Sequence, residues 1–182
     1  MKTLFIISLT IVTALSACGP KITDEQAKKL EVLSAQADSL YQSLVEIDSN
    51  KVIEITTGYE ERRSLLLNDM KDTLSRETLF YLDSFLVMKK VARFFKNDFF
   101  QIRQEVKTIT KQLDDLEKDV ANRLVNENQF NDYYKLERDN FDQLLPITSQ
   151  VSISYENMLK KYERMTPKVD SIINAYKAKA NE

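Results

Sequence analysis

From Tyr81 to Val120 apolar residues recur at alternating intervals of four and three without a miss: Tyr81, Phe85, Met88, Ala92, Phe95, Phe99, Ile102, Val106, Ile109, Leu113, Leu116 and Val120. A 3.5-residue period keeps such a series on one face of a helix that supercoils with a partner. A strand cannot present it, because its side chains change face at every residue. Leu79, Leu82, Leu86, Val91, Phe94 and Phe100 widen the stripe in its first half, which predicts burial against more than one neighbour.

Two other segments carry similar seams. The first is Leu30, Leu33, Ala37, Leu40, Leu44 and Ile47, and Thr23 followed by Gln26 forms a capping box that predicts a helix start near Thr23. The third is Phe130, Tyr134, Phe141, Leu144, Val151, Tyr155, Met158, Tyr162, Met165, Val169, Ile172 and Tyr176, with Glu137 and Thr148 in two otherwise apolar seats. Pro146 predicts a kink or a split there and Pro167 a second bend, since proline lacks the N–H and crowds the previous turn. The chain holds 2 Gly and 3 Pro, too few for the many turns of a strand-rich fold. The expected class is all-α, an elongated antiparallel three-helix bundle or coiled coil over residues 23–182.

Polar stretches at Asn68–Ser75 and Asn122–Asp132 predict the two reversals, the second through asparagines, which tolerate left-handed geometry. Heptad phase nevertheless runs through positions 120, 123, 127 and 130. One very long helix joining the second and third segments, in an oligomer, therefore stays open as an alternative.

The first seam also loses register. Ile47 is followed by Lys51 and Glu54, and the pattern resumes at Ile55 and Tyr59, one residue late. Such a skip distorts the supercoil or breaks the helix. Ile53, Ile55 and Thr56–Thr57 are β-branched, and Gly58 weakens a helix by about 1 kcal/mol relative to Ala. Folding the chain at the two reversals sets this segment opposite Phe94, Phe95, Tyr155 and Met158. Those side chains either fill the gap or border a cleft or mobile segment open to an apolar partner. With Phe99 they are the candidate partner or ligand contacts.

Two readings also apply to Lys89–Arg103 (KKVARFFKNDFFQIR): a groove for an apolar or anionic partner, or core phenylalanines with basic stems along the helix edge. Tyr155, Tyr162 and Tyr176 fall at seam positions and read as core, with hydroxyls reaching the edge. Asp114, Asp115, Glu117 and Asp119 read as a solvated face, since they lack the loop of a calcium motif. There is no His, hence neither the commonest general base nor the commonest transition-metal ligand. No nucleotide-binding or nucleophile motif occurs. No catalytic residue, metal site or cofactor is expected. With 26 basic and 28 acidic side chains, there is no electrostatic case for nucleic acid.

The N-terminus is of another kind. Met1-Lys2-Thr3 carries one positive charge, and Leu4 to Leu15 carries none. At 1.5 Å per residue that run reaches roughly 18 Å, short of a bilayer core of about 30 Å, so it reads as an export signal. Leu15-Ser16-Ala17-Cys18 resembles the lipobox of bacterial lipoproteins. The resemblance implies cleavage before Cys18, lipidation of its thiol and acylation of its new amine. It divides the chain into a signal peptide (1–17), a lipidated tether (18–22) and the helical body. The layout is also similar to that of cell-wall-binding helical lipoproteins, a likeness that carries no site residue.

The expected protein is thus a lipid-anchored module of the cell envelope. Gly19 after the cysteine lacks the familiar aspartate signal for the inner membrane, which points to the outer one. Two functions are open: a structural or protein-interaction scaffold with an envelope partner, or a carrier of a small apolar ligand in a cleft of the bundle. Oligomeric state is open. Cys18→Ala should leave the protein uncleaved or release it into the soluble periplasmic fraction, as read by fractionation and mass. Full maturation and unchanged detergent partitioning would refute the anchor.

Overall fold

The computed structural model describes residues 21–70 and 74–180; the signal and Cys18 lie outside them. Among the described residues the fold is all-α, with no strand. The first seam makes α1 (Asp24–Val45) and α2 (Ser49–Ser64), the latter running into a π-helical turn at Leu65–Asp69. The second makes α3 (Arg76–Leu86), α4 (Lys89–Asn97) and α5 (Phe99–Ala121). The third makes α6 (Glu127–Thr148) and α7 (Val151–Ala180). Among the described residues the three expected segments are thus divided into seven α-helices and one π-helical turn.

Each end has a local cause. The Thr23 hydroxyl accepts from the Gln26 amide and the Gln26 side chain accepts from the Thr23 amide, the capping box the sequence predicts. The register skip breaks the helix: Glu46–Asp48 leave it, and Asp48 caps the new one by accepting from the Asn50 and Lys51 amides at 2.8 and 3.2 Å. Ile47 stays buried in the break. From Asp48 onward the segment expected to be weak is regular helix. Pro146 lies three residues before the end of the run that closes at Ser149 and Gln150. Pro167 does not interrupt α7.

The breaks inside the second segment are milder. Val87, Met88 and Asp98 all keep right-handed helical dihedrals, so the chain continues onward. At the first of them the buried Tyr59 hydroxyl donates to the Leu86 carbonyl at 2.9 Å. A side chain that takes a carbonyl from the helical ladder is a known cause of such a kink.

The second reversal excludes the single long helix. α5 ends at Ala121, and α5 and α6 pack against each other. The Leu124 amide donates to the Asp119 carbonyl and the Arg123 amide to the Val120 carbonyl, which is a Schellman closure. Its left-handed residue is Arg123, with φ 58°, and not one of the asparagines. Asn126 instead caps α6 through a second capping box with Gln129.

Pairs between the first and third segments keep a separation of 100 to 109 in sequence: 101 and 105 for Gln26 with Glu127 and Asn131, 109 for Ser152–Ser43, 100 and 108 for Arg62 with Tyr162 and Asp170, and 107 for Tyr176–Asp69. Those two segments run side by side in the same direction, and the second returns between the reversals. The core falls into two clusters. One joins Leu30, Leu33 and Ala37 to Ile109, Leu113, Leu116, Phe130 and Phe141. The other gathers Val52, Ile55, Tyr59, Phe85, Phe95, Phe99, Met158 and Val169, among others. Leu40 and Leu144 pack against both. Nearly every seam position is buried or half-buried; at the far end Ile173, not Ile172, is the more enclosed.

A left-handed non-glycine residue costs roughly 1–2 kcal/mol, so Arg123→Gly should raise stability by about 1 kcal/mol. A denaturant midpoint that falls would show that the Arg123 side chain contributes more than its backbone geometry costs.

Candidate functional site

The five contact residues expected from the sequence come together. Phe95 meets Phe94, Phe99 and Tyr155 with ring centroids 5.3, 5.3 and 5.9 Å apart, and Met158 packs in the same cluster. They form core more than surface: Phe95 and Phe99 are 0% exposed and Met158 2%. The broken helix does face Tyr155, since Asp48 and Lys51 both act on its hydroxyl. On the other side its level partner is Arg103, whose guanidinium donates to the Ser49 hydroxyl at 2.8 Å, nine residues beyond the expected Phe94. Arg103 also lies over the rings of Phe99 and Phe100 at 5.4 and 5.6 Å. The basic residues of this segment thus include one whose stem and head cover core phenylalanines.

Phe94 is half-buried and borders open space. With Lys90, Val91, Ile147, Gln150, Val151 and Ser154 it lines a cleft of about 210 Å³ between α4 and α7. A second cleft of about 420 Å³ follows along α5 and α6, walled by Gln101, Gln104, Glu105, Thr108, Gln112, Asn140 and Gln143 over Ile109 and Leu144. Positions 94, 101, 105, 108 and 112 on one wall, and 140, 143, 147, 150 and 154 on the other, repeat at heptad spacing. Each wall therefore keeps one heptad stripe beside the core seam, carried across the kink at Asp98 on one side and the turn at Ser149 and Gln150 on the other. Of the lining residues only Lys90 and Glu105 are charged, in a chain that is 30% charged. Carboxamides and apolar groups shed water more cheaply than charges do, and amides both donate and accept. This wall can hold a polar, uncharged surface without selecting for net charge. The opposite flank of α6 is open too, with clefts of about 610 and 380 Å³ toward α1 that share Val32, Gln36 and Arg138.

The acids of α5 behave as a solvated face. Asp115 pairs with Lys111 and Asp114 with Lys118, all well exposed. Among the described residues no three metal-ligating side chains converge and no helix is long and apolar enough to cross a membrane.

Sequence reasoning missed a clasp between α2 and α7. Arg62 donates to both carboxylate oxygens of Asp170, at 2.7 and 2.9 Å, to the Gly58 carbonyl at 2.9 Å and to the Tyr162 hydroxyl at 3.1 Å. The Asp170 hydrogen bonds hold the Arg62 guanidinium above its usual range, and burial pushes the Tyr162 hydroxyl up. Burial likewise pushes the neighbouring Tyr59 up to about 12. Tyr176 closes the same end by donating to the Asp69 carbonyl at 2.7 Å. Gly58 is part of this fit. A Cβ there would stand 2.3 Å from the Tyr162 Oη and 2.8 Å from an Arg62 nitrogen. The glycine is needed for close approach, and the only sequence signal was a glycine four residues before an arginine inside a helical pattern.

Comparison with protein-family models, with curated proteins and with solved structures finds no match to the chain.

In an open helix Gly→Ala stabilises by about 1 kcal/mol. Gly58→Ala should reverse that sign and destabilise by about 1–3 kcal/mol through overpacking. Adding Tyr162→Phe, which removes the colliding oxygen, should recover part of the loss. Calorimetric midpoints of the single and double variants check this; a more stable Gly58→Ala single variant would refute the fit.

Proposed function

We propose that this protein is a lipoprotein of the cell envelope, probed best as a scaffold: an elongated antiparallel three-helix coiled-coil rod, tethered through lipid on Cys18, that binds a protein partner along its side. The tether is short, since α1 begins at Asp24. Cleavage before Cys18 would leave the outer membrane holding one end of the rod and the first reversal and C-terminus far from it. The offset of 100 to 109 residues between the first and third segments supports the rod, with each segment acting as one leg through its breaks.

The observation that carries the interaction role is the groove with heptad-spaced residues on both walls. Two helices of a bundle leave such a stripe where another helical or extended chain lies alongside. Ile147 of α6, exposed at 46%, lines it. The carrier function fits the packing less well, because an apolar ligand would have to part Phe95, Phe99 and Met158.

Photo-crosslinking residues placed at Gln101, Gln143 and Ile147 of the membrane-tethered protein test this in cells. One protein partner captured at all three, and not from exposed positions elsewhere such as Lys28, supports the scaffold. Recovery of a small apolar molecule with no protein adduct overturns it in favour of the carrier.

A further inference from the structure

Among the described residues three polar ones are buried: Thr56, Glu137 and Thr148. The two threonines are satisfied within their own helices, Thr56 by the Val52 carbonyl and Thr148 by the Leu144 carbonyl, both at 2.8 Å. Glu137 differs. It is 5% exposed, and its Oε2 has no hydrogen-bond partner. It occupies an apolar seat of α6, on the face that also presents Phe130, Tyr134 and Phe141 to the lower core cluster. To that cluster α1 contributes Leu33 and Ala37, and α5 contributes Ile109 and Leu113. Ser34 on α1 and Thr110 on α5 have buried hydroxyls that also lack partners, so neither is spent on the carboxyl.

No cation compensates it. The ion pairs of these helices look outward: Lys29 with Glu25 on α1, Lys111 with Asp115 and Lys118 with Asp114 on α5, and Arg138 with Asp142 on α6. Tyr134 is the other titratable group on the same face. Burial pushes the Glu137 carboxyl above the ordinary carboxylate range, and the Asn140 side chain offsets only part of that. An ionised carboxylate without a partner is among the costliest groups to keep in a core.

The helix that carries this group is also the one flanked by clefts on both sides. We propose that Glu137 makes the seating of α6 on α1 and α5 proton-linked: the helix sits closed while the carboxyl is neutral and loosens when it releases its proton to solvent. The direction follows from the environment. The seated state holds the proton more tightly than the unseated one. Seating is therefore most favourable below the ordinary carboxylate range and weakens as pH rises through the raised value. Because Asn140 and Gln143 of α6 form one wall of the candidate groove, the same step would alter that groove. The proton linkage itself does not depend on the groove having a partner.

Hydrogen exchange of the full-length chain from about pH 4 to pH 8, corrected for the intrinsic pH dependence of exchange, tests the idea. Protection of residues 127–148 relative to residues 102–120 should fall as pH rises from the ordinary carboxylate range to the raised value, by at most about tenfold per pH unit, and level off above it. Glu137→Gln should flatten that dependence, and Glu137→Leu should leave α6 better protected at pH 8 than the original chain. A flat profile in the original chain overturns the proposal. So does an equal fall in Glu137→Gln, or an α6 that Glu137→Leu makes less protected.

Discussion

The structure depends on burial of one long apolar stripe, the seam from Phe85 to Leu116. It supplies residues to both core clusters, and the other two segments are held together largely by sharing it. Buried side chains of this size contribute about 1.5–3 kcal/mol each when removed from water. The kinks at Val87–Met88 and at Asp98 do not interrupt it, because right-handed dihedrals at all three residues keep the stripe on one face. What yields is the helical ladder; what is conserved through the kinks is the burial of Met88, Ala92, Phe95 and Phe99.

The two halves of the molecule solve the packing problem differently. Around α2, α4 and α7 the core is dense with rings and closed by specific polar contacts: Tyr59 to the Leu86 carbonyl, Tyr176 to the Asp69 carbonyl, and Arg62 to Asp170 and Tyr162. Arg–carboxylate pairing in two parallel hydrogen bonds fixes the axial position of one helix against the other, which apolar contacts alone leave free to slide. Around α1, α5 and α6 the core mixes aliphatic residues with Phe130, Phe141 and Tyr134, and Ser34 Oγ, Thr110 Oγ1 and Glu137 Oε2 there lack hydrogen-bond partners. α6 there has open space on each flank.

The candidate groove gains its character from what its walls lack. Solvated helix faces in this chain are charged and internally paired, as on α5 at Lys111–Asp115 and Lys118–Asp114. The stripe of Gln101, Thr108, Gln112, Asn140 and Gln143 is neither charged nor apolar. Such a surface stays hydrated when free and gives up that water at modest cost when covered. Phe94, the one expected contact residue that reaches this groove, lies at its α4 end.

Much was legible in one dimension. Heptad spacing identified which residue of each turn is buried, from Leu30 to Val169, because periodicity alone decides the face of a helix that meets its neighbours. The skip after Ile47 located the break that Asp48 caps, since one extra residue rotates the next apolar side chain off the seam by about 100° in a helix of 3.6 residues per turn. The capping box at Thr23 was local chemistry and was readable for that reason. The left-handed residue of the second reversal was not, because the closure is set by which carbonyls α5 leaves free, and that put Arg123 there in place of an asparagine. Only the tertiary structure decided what lies across each seam. Arg62 finds Asp170 at a separation of 108 residues, and Gly58 is glycine because Tyr162 stands over it. Glu137 looked like a gap in a pattern; folding made it a buried residue whose carboxylate Oε2 has no hydrogen-bond partner. A sequence period specifies the direction in which a side chain points, and the axial register between helices specifies what it meets.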